Sequence, residues 1–353
     1  MNHRLSVDAG AASASPLSPL ALHAAAQGAI HPVAGAPTLA ATAHSAASGA
    51  GALAAQPPAQ ATVGPKAPAS PAGLGPLMLR APVARLKKLG WRLYEELILP
   101  PRQDEYRRLL QAARDQGYQV IDNVQWLTMV RAGGPAPDER VLVMRHDIDT
   151  DPGLALQWHQ IEHETGCRAS YYFRQSTCNE QVIRTLAAAG VHVSYHFEEL
   201  ATVAKQRRLK SPEAARAAFP EAQALFAHNL KDWRERFGLP MTVVCSHGDW
   251  MNRHLKISNH ALLKDDALRQ QLGIDSECYD DEVMQPFACY LSDSNPPHFW
   301  VRGEPFALIA QGTTPLGILT HPKSWRAHWP SNFSELSGRI AEALRFRFGK
   351  GWQ

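Results

Sequence analysis

Five times between residues 140 and 320, a short strand-like run gives way to polar residues and then to a helical segment. Strand 140–146 leads to helix 152–165, which ends at Gly166. Strand 168–173 leads to helix 179–189, which ends at Gly190. Strand 191–196 leads to helical segments through about residue 237, and strand 241–246 to a polar loop and helix 260–272. Strand-rich pieces cover 274–302, followed by strand 316–320 and a final helix 332–348. Parallel strands need crossover connections, and helices are the usual ones, so this alternation predicts an α/β fold with a parallel sheet. The number of repeats favours a barrel over a flat doubly wound sheet, and no glycine-rich phosphate loop follows any strand.

Upstream, Asp104–Gln116 reads as a helix with Tyr106, Leu109, Leu110 and Ala113 on one face; residues 118–121 read as a strand and 124–130 as a helix. Residues 81–98 form a basic amphipathic helix with Val83, Leu86, Leu89, Leu93 and Leu97 near one face, expected to pack against the domain. Peripheral membrane contact is the alternative use of that face. Residues 1–79 carry only Arg4, Asp8 and Lys66 as charged groups, among Ala, Pro, Gly and Ser without periodicity. Such a segment buries too little apolar surface to offset its ordering entropy, so residues 1–80 are expected to be a disordered tail and 81–353 the folded domain. Prolines at 16, 19, 32, 37, 57 and 58 rule out a membrane span there. A signal peptide fits poorly, because Asp8 follows Arg4 closely, and a true start at Met78 is another explanation.

The net charge of +3, with both signs interspersed, gives no nucleic-acid footprint. The five cysteines form no CxxC pair and no zinc-finger spacing, which suits buried thiols in a reducing compartment. The expected location is the cytoplasm, and peripheral contact to the inner membrane through helix 81–98 is the alternative.

Chemistry-bearing residues gather where strands end, the place at which parallel α/β folds hold ligands. The first strand ends in Asp147 and Asp149, two apart and on one side of an extended chain, and Asp151-Pro152 reads as a helix cap. The third ends in His196 and Glu198, the fourth in Ser246, His247 and Asp249, and the last in Thr320 and His321. Imidazole and carboxylate are the usual ligands of zinc and related ions, and an adjacent carboxylate can serve as a base. His192 lies within its strand and is read as core or supporting. In the loops after His247, Asp249 and Trp250 have the best claim to substrate contact. Tyr279, Asp280 and Asp293 are further candidates, and Trp325 has a similar claim.

The ordered motifs RHDID, SYYFR, GVHVSYHFEEL, CSHGDW and LTHP resemble those of the polysaccharide deacetylase superfamily, the NodB-like carbohydrate esterases, over about residues 102–330. The likeness is to a divergent branch associated with bacterial surface-polysaccharide synthesis. It implies a distorted (β/α) barrel that hydrolyses an N-acetyl, or occasionally O-acetyl, group from a sugar with one divalent ion. Zinc is expected, and cobalt, nickel or iron(II) are alternatives. By this resemblance Asp147 matches the general base, Asp149 and His196 match metal ligands, and His321 matches the general acid. The second histidine of the family's H-x-x-x-H motif falls at Leu200, so the third ligand is either His247 or Glu198. Arg145 is the nearest candidate to orient the base, and Arg174 is expected at the substrate. Two other readings use the same residues: hydrolysis of a non-sugar amide or cyclic imide, and a non-catalytic sugar-binding protein on an inherited barrel.

Overall fold

A computed structural model describes Lys87 and residues 89–349; the expected tail, Val83 and Leu86 lie outside the described residues. The strands are β1 Gln119–Ile121, β2 Val141–Ile148, β3 Ser170–Phe173, β4 His192–Phe197, β5 Val243–Ser246, β6 Ser276–Glu277, β7 Cys289–Asp293, β8 Trp300–Val301 and β9 Leu316–Thr320. Around them run helices α1 (89–97), α2 (Gln103–Asp115), α3 (Asn123–Arg131), α4 (Gly153–Thr165), α5 (Glu180–Ala188), α6 (Glu199–Arg207) and α7 (Pro212–Ala217). The later ones are α8 (Phe219–Phe237), α9 (Trp250–Leu255), α10 (Asp266–Leu272), α11 (Asp281–Met284), α12 (Pro305–Ala310) and α13 (Trp329–Phe348).

The order along the sheet is β6-β5-β4-β3-β2-β9-β7-β8, with β1 beside β2. Every described pairing is parallel except β7 with β8. Strand β2 is buried along its whole length and organises the sheet. One of its edges carries β9. The other is shared, with β1 pairing at Val141–Val143 and β3 at Arg145–Ile148. Strands β2 and β5 are three intervals apart, roughly 14 Å in a flat sheet. Yet Cys245 Sγ of β5 lies 3.8 Å from the Asp147 carboxylate of β2. The result is a curled, mostly parallel sheet with flanking helices, whose hydrogen-bonded path ends at β6 and β8 among the described residues.

Period-two alternation sorts the residues of this sheet between two cores. Leu142, Met144 and Ile148 join Tyr171, Phe173, Tyr195 and Phe197 in the larger one, beneath α2, α4 and α8. Val141 and Val143 join Tyr172, Val243 and Cys245 in a smaller cluster closed by Trp126 of α3 and Val283 of α11. Continued along β2, the second face carries Arg145 and Asp147.

Several expectations change. Strand β2 extends through Ile148, so Asp147 stands within a strand and not after it. Asp151 does not cap α4: its φ is +43°, Pro152 takes the cap position, and the Asp151 carboxylate binds Arg326 at 2.6 and 3.0 Å. The segment 260–272 is broken into a 3₁₀ turn (Asn259–Leu263) and α10, because Asp265 caps a new helix through Ala267 N and Leu268 N. The described part of helix 81–98, residues 89–97, does not pack through its apolar face. Leu89, Leu93 and Leu97 are exposed, while Glu95, Glu96 and Leu99 are buried. No described helix is long and apolar enough to cross a membrane.

Candidate metal centre

Three side chains from three elements converge at the carboxyl rim. Asp149 follows β2, His196 lies near the end of β4, and His247 follows β5. Asp149 Oδ1 stands 3.1 Å from His247 Nδ1 and 3.4 Å from His196 Nε2, and the two imidazole nitrogens are 3.2 Å apart. Donors about 2.0–2.1 Å from a tetrahedral ion are separated by roughly 3.3 Å, the length of a tetrahedron's edge. The triangle therefore matches one face of such a site. Asp149 Oδ1 is buried with no hydrogen-bond partner, as a carboxylate oxygen reserved for a cation would be. His196 Nδ1 lies 3.1 Å from the Cys245 carbonyl oxygen; donation there leaves Nε2 unprotonated toward the triangle, the usual support for an imidazole ligand.

The electrostatics agree. Burial opposes the charge of Asp149, but His247 and His196 hold its carboxyl well below the usual range. Burial likewise opposes charging His196, and Asp147 and Asp149 outweigh it, raising its pKa. The cluster favours a positive charge at its centre, and a metal ion would compete with a proton for His196.

Of the two candidates for the third position, His247 reaches the triangle and Glu198 does not. Glu198 stands behind it, with Oε2 4.0 Å from His247 Nε2, and Arg174 grips its carboxylate at 2.8 and 2.9 Å. Burial pushes the Glu198 carboxyl up, Arg174 pulls it down, and the net position is below the ordinary value. Leu200 is fully buried among Met251, Leu255 and Leu262, part of the packing beneath α6.

Beside the triangle, Asp147 Oδ2 is 3.6 Å from His196 Nε2. Arg145 contacts both carboxylate oxygens of Asp147 at 3.1 Å, and its Nη2 donates to Tyr279 Oη at 2.5 Å. The guanidinium is buried over the Tyr279 ring; burial works against its charge, and Asp147 and its other neighbours more than restore it. Since β2 pairs with β9 at His146 and Thr320, Asp147 within β2 and His321 just past β9 are the next residues on two adjacent strands. His321 Nδ1 lies 2.6 Å from Asp293 Oδ1, while Asp293 Oδ2 accepts from His321 N at 2.7 Å and Trp325 Nε1 at 2.9 Å. Burial alone would lower the His321 pKa, but the Asp293 carboxylate raises it to about 9.

A cavity of about 520 Å³ opens on this rim, with Asp149 and His247 in its wall and Arg174, Asp249, Trp250 and the inner face of α13 around it. Asp147, His196 and His321 are not among its lining residues. Asp249 caps α9 through Met251 N and pairs with Lys205 at 3.2 Å. Trp250 meets Phe346 edge to face. Trp325, a sequence candidate for substrate stacking, is fully buried against Tyr106 and Trp158, and its contribution is the bond to Asp293.

Three other groupings among the described residues fit a metal less well. In the Glu198–His247–Asp249 set, Arg174 holds Glu198 and Lys205 pairs with Asp249. The Asp147–His196–Cys245 set would need a thiolate, and burial pushes the Cys245 thiol well up. In the His260–Glu277–Asp280 set, Arg269 already occupies both Asp280 oxygens at 2.6 and 2.7 Å. Sequence reasoning left Glu162 without a role. It accepts from Tyr106 Oη and Tyr171 Oη at 2.7 Å and contacts His146 Nε2 at 2.7 Å, which ties His146 into the larger core and away from the rim.

Fold and site together define an α/β protein with a buried three-donor centre flanked by an Arg–Asp pair and a His–Asp pair. Comparisons with protein-family models, curated proteins and solved structures return no match for this chain.

Proposed function

We propose that this chain is a metal-dependent deacetylase on a distorted (β/α) barrel of the polysaccharide deacetylase type, removing an N-acetyl group from a sugar. The observation that carries this reading is the triangle of Asp149, His196 and His247 donors, 3.1–3.4 Å apart, beside Asp147 and His321. When bound, the ion, zinc by preference, supplies Lewis acidity toward the amide carbonyl and a more acidic water.

The chain's own residues supply the proton transfers. Asp147, fixed by Arg145, accepts a proton as the water oxygen bonds to the acetyl carbon. The carbon–nitrogen bond then breaks, and His321 donates a proton to the departing nitrogen, which would otherwise leave as an unstable amide anion. With its pKa near 9, His321 holds that proton at neutral pH. The products are acetate and the free amine. The cavity volume suits one or two sugar units.

The test is metal content per chain in the parent, His247→Ala and Glu198→Ala proteins, followed by acetate release from N-acetyl sugars and from non-sugar amides. One ion per chain, lost in His247→Ala and retained in Glu198→Ala, with release from the sugars, is the expected result. A parent that takes up no divalent ion after reconstitution would overturn the reading.

A further inference from the structure

Helix α13 has two faces with different surroundings. Ser331, Ser334, Gly338 and Glu342, spaced three or four apart, line the cavity beside the triangle. The opposite face presents Trp329, Phe333, Ile340, Leu344 and Phe348 to solvent, with Trp329 67%, Phe333 66% and Phe348 71% exposed. Helix α1 lies against α13: Asn332 Nδ2 donates to the Glu96 carbonyl at 3.0 Å, and Lys323 bridges Glu96 and Glu335 at 2.7 and 3.5 Å. Its own Leu89, Trp91, Leu93 and Leu97, together with Ile98 just beyond it, are also exposed. Two contacting helices thus display large apolar side chains, a patch that monomeric proteins seldom leave without a partner.

The charges identify the partner. The four acids of these helices are turned inward or paired: Glu95 and Glu96 are buried, Glu335 binds Lys323 and Arg339, and Glu342 binds Lys205. The cations Lys87, Arg92 and Arg347 remain exposed around the apolar residues, with Arg92 Nε 3.7 Å from the buried Glu96, while Arg339 pairs with Glu335 and faces the cavity. A second copy docked by two-fold symmetry would bring like charges together. Residues 1–79 contain one acid, Asp8, and so cannot balance them. An anionic lipid surface satisfies both features, with aromatic and aliphatic side chains at the acyl boundary and Lys and Arg among the headgroups.

We infer that α1 and α13 form an in-plane docking surface for anionic membranes. The surface-bound chain would hold its cavity about one helix diameter, ~10 Å, from the headgroups, within reach of a substrate carried on lipid. The inference does not depend on the reaction proposed above, and a chain that binds vesicles but releases no acetate leaves it intact.

The experiment is flotation of the full chain with phosphatidylcholine vesicles, with and without phosphatidylglycerol, at low and high salt. Binding should require phosphatidylglycerol and weaken with salt. Paired Trp329→Ala and Phe333→Ala substitutions should weaken it at least about tenfold with metal content unchanged, and Arg92→Gln or Arg347→Gln about fivefold each. Failure of the parent to float with either vesicle would overturn the inference. So would a concentration-dependent dimer abolished by Trp329→Ala and Phe333→Ala, since it would assign the face to a second copy.

Discussion

Replacing Asp293 by Asn tests the His321 environment most directly, because it removes one charge and keeps the shape. In the parent, Asp293 Oδ2 accepts two N–H groups and Oδ1 faces His321 Nδ1 at 2.6 Å. An Asn oxygen can retain the first two bonds. Its NH2 group then points at Nδ1 and favours the neutral ring, which accepts there. The His321 pKa should fall from about 9 to its ordinary 6.5 or below, since burial is then opposed by less negative charge. A drop of roughly 2.5 units corresponds to about 3 kcal/mol, reduced to about 2–3 because the side chain is 27% open to water.

The sign follows from linkage. A histidine whose folded pKa is raised contributes stability that is complete below about pH 6.5 and is lost as pH rises through about 9. Denaturant unfolding of metal-free parent and Asp293→Asn protein should therefore differ by about 2–3 kcal/mol more at about pH 6 than at about pH 10. Other titrating groups are common to both proteins and cancel. An equal difference at both pH values, or a parent His321 ring that titrates near 6.5 by NMR, would refute the reasoning. If His321 is the proton donor, the parent's rate should fall as pH passes about 9, and the substitution should move that limb down by about two units.

Three other outcomes are expected. Leu200→His, which restores the H-x-x-x-H spacing, should add no metal and should destabilise the chain by about 2–5 kcal/mol in denaturant unfolding, because position 200 lies in an apolar cluster away from the triangle. Glu198→Ala should weaken metal affinity about 10–100-fold in a chelator competition while Asp149→Ala abolishes it, the difference between supporting a ligand and being one. Gly317→Ala should cost about 1–3 kcal/mol by thermal unfolding, since the added methyl would overlap the Tyr290 ring, which packs near Arg145.

The strands and most helices were legible because hydrophobic periodicity is local, and each βα unit carries its own stop. Strand ends were legible as a place: Asp149, His196 and His247 do meet there. The use of each polar residue was less so. Asp249 and Trp250 stand beside the cavity but are engaged in capping and in contact with Phe346. Trp325 reads in sequence as a rim aromatic, yet α2 and α4 cover it, and no local pattern reveals what a distant helix will bury. Asp293 was visible as one acid among many. Its importance arises because β7 pairs with β9, which places it 2.6 Å from His321 across 28 positions of chain.

Residue parity along the strands explains which groups were separable in principle. Arg145 and Asp147 share a face with Val141 and Val143, with Asp149 just past the strand, while His146 falls with Leu142 and Met144 and meets Glu162 in the other core. On β4, His196 lies between Tyr195 and Phe197, both of which pack in the larger core. On β5, Val243 and Cys245 lead in step to His247. Alternation alone therefore divides the rim histidines from His146. It does not say which set faces inward, because both faces of β2 are apolar at their start and become polar at their end. That distinction is made by curvature. Only a curl that brings β5 over β2 lets Asp147 meet Cys245, and the same curl closes Asp149, His196 and His247 to metal-binding distances. The site is a consequence of sheet curl acting on a period-two pattern, which is why its members could be read from the sequence while its geometry could not.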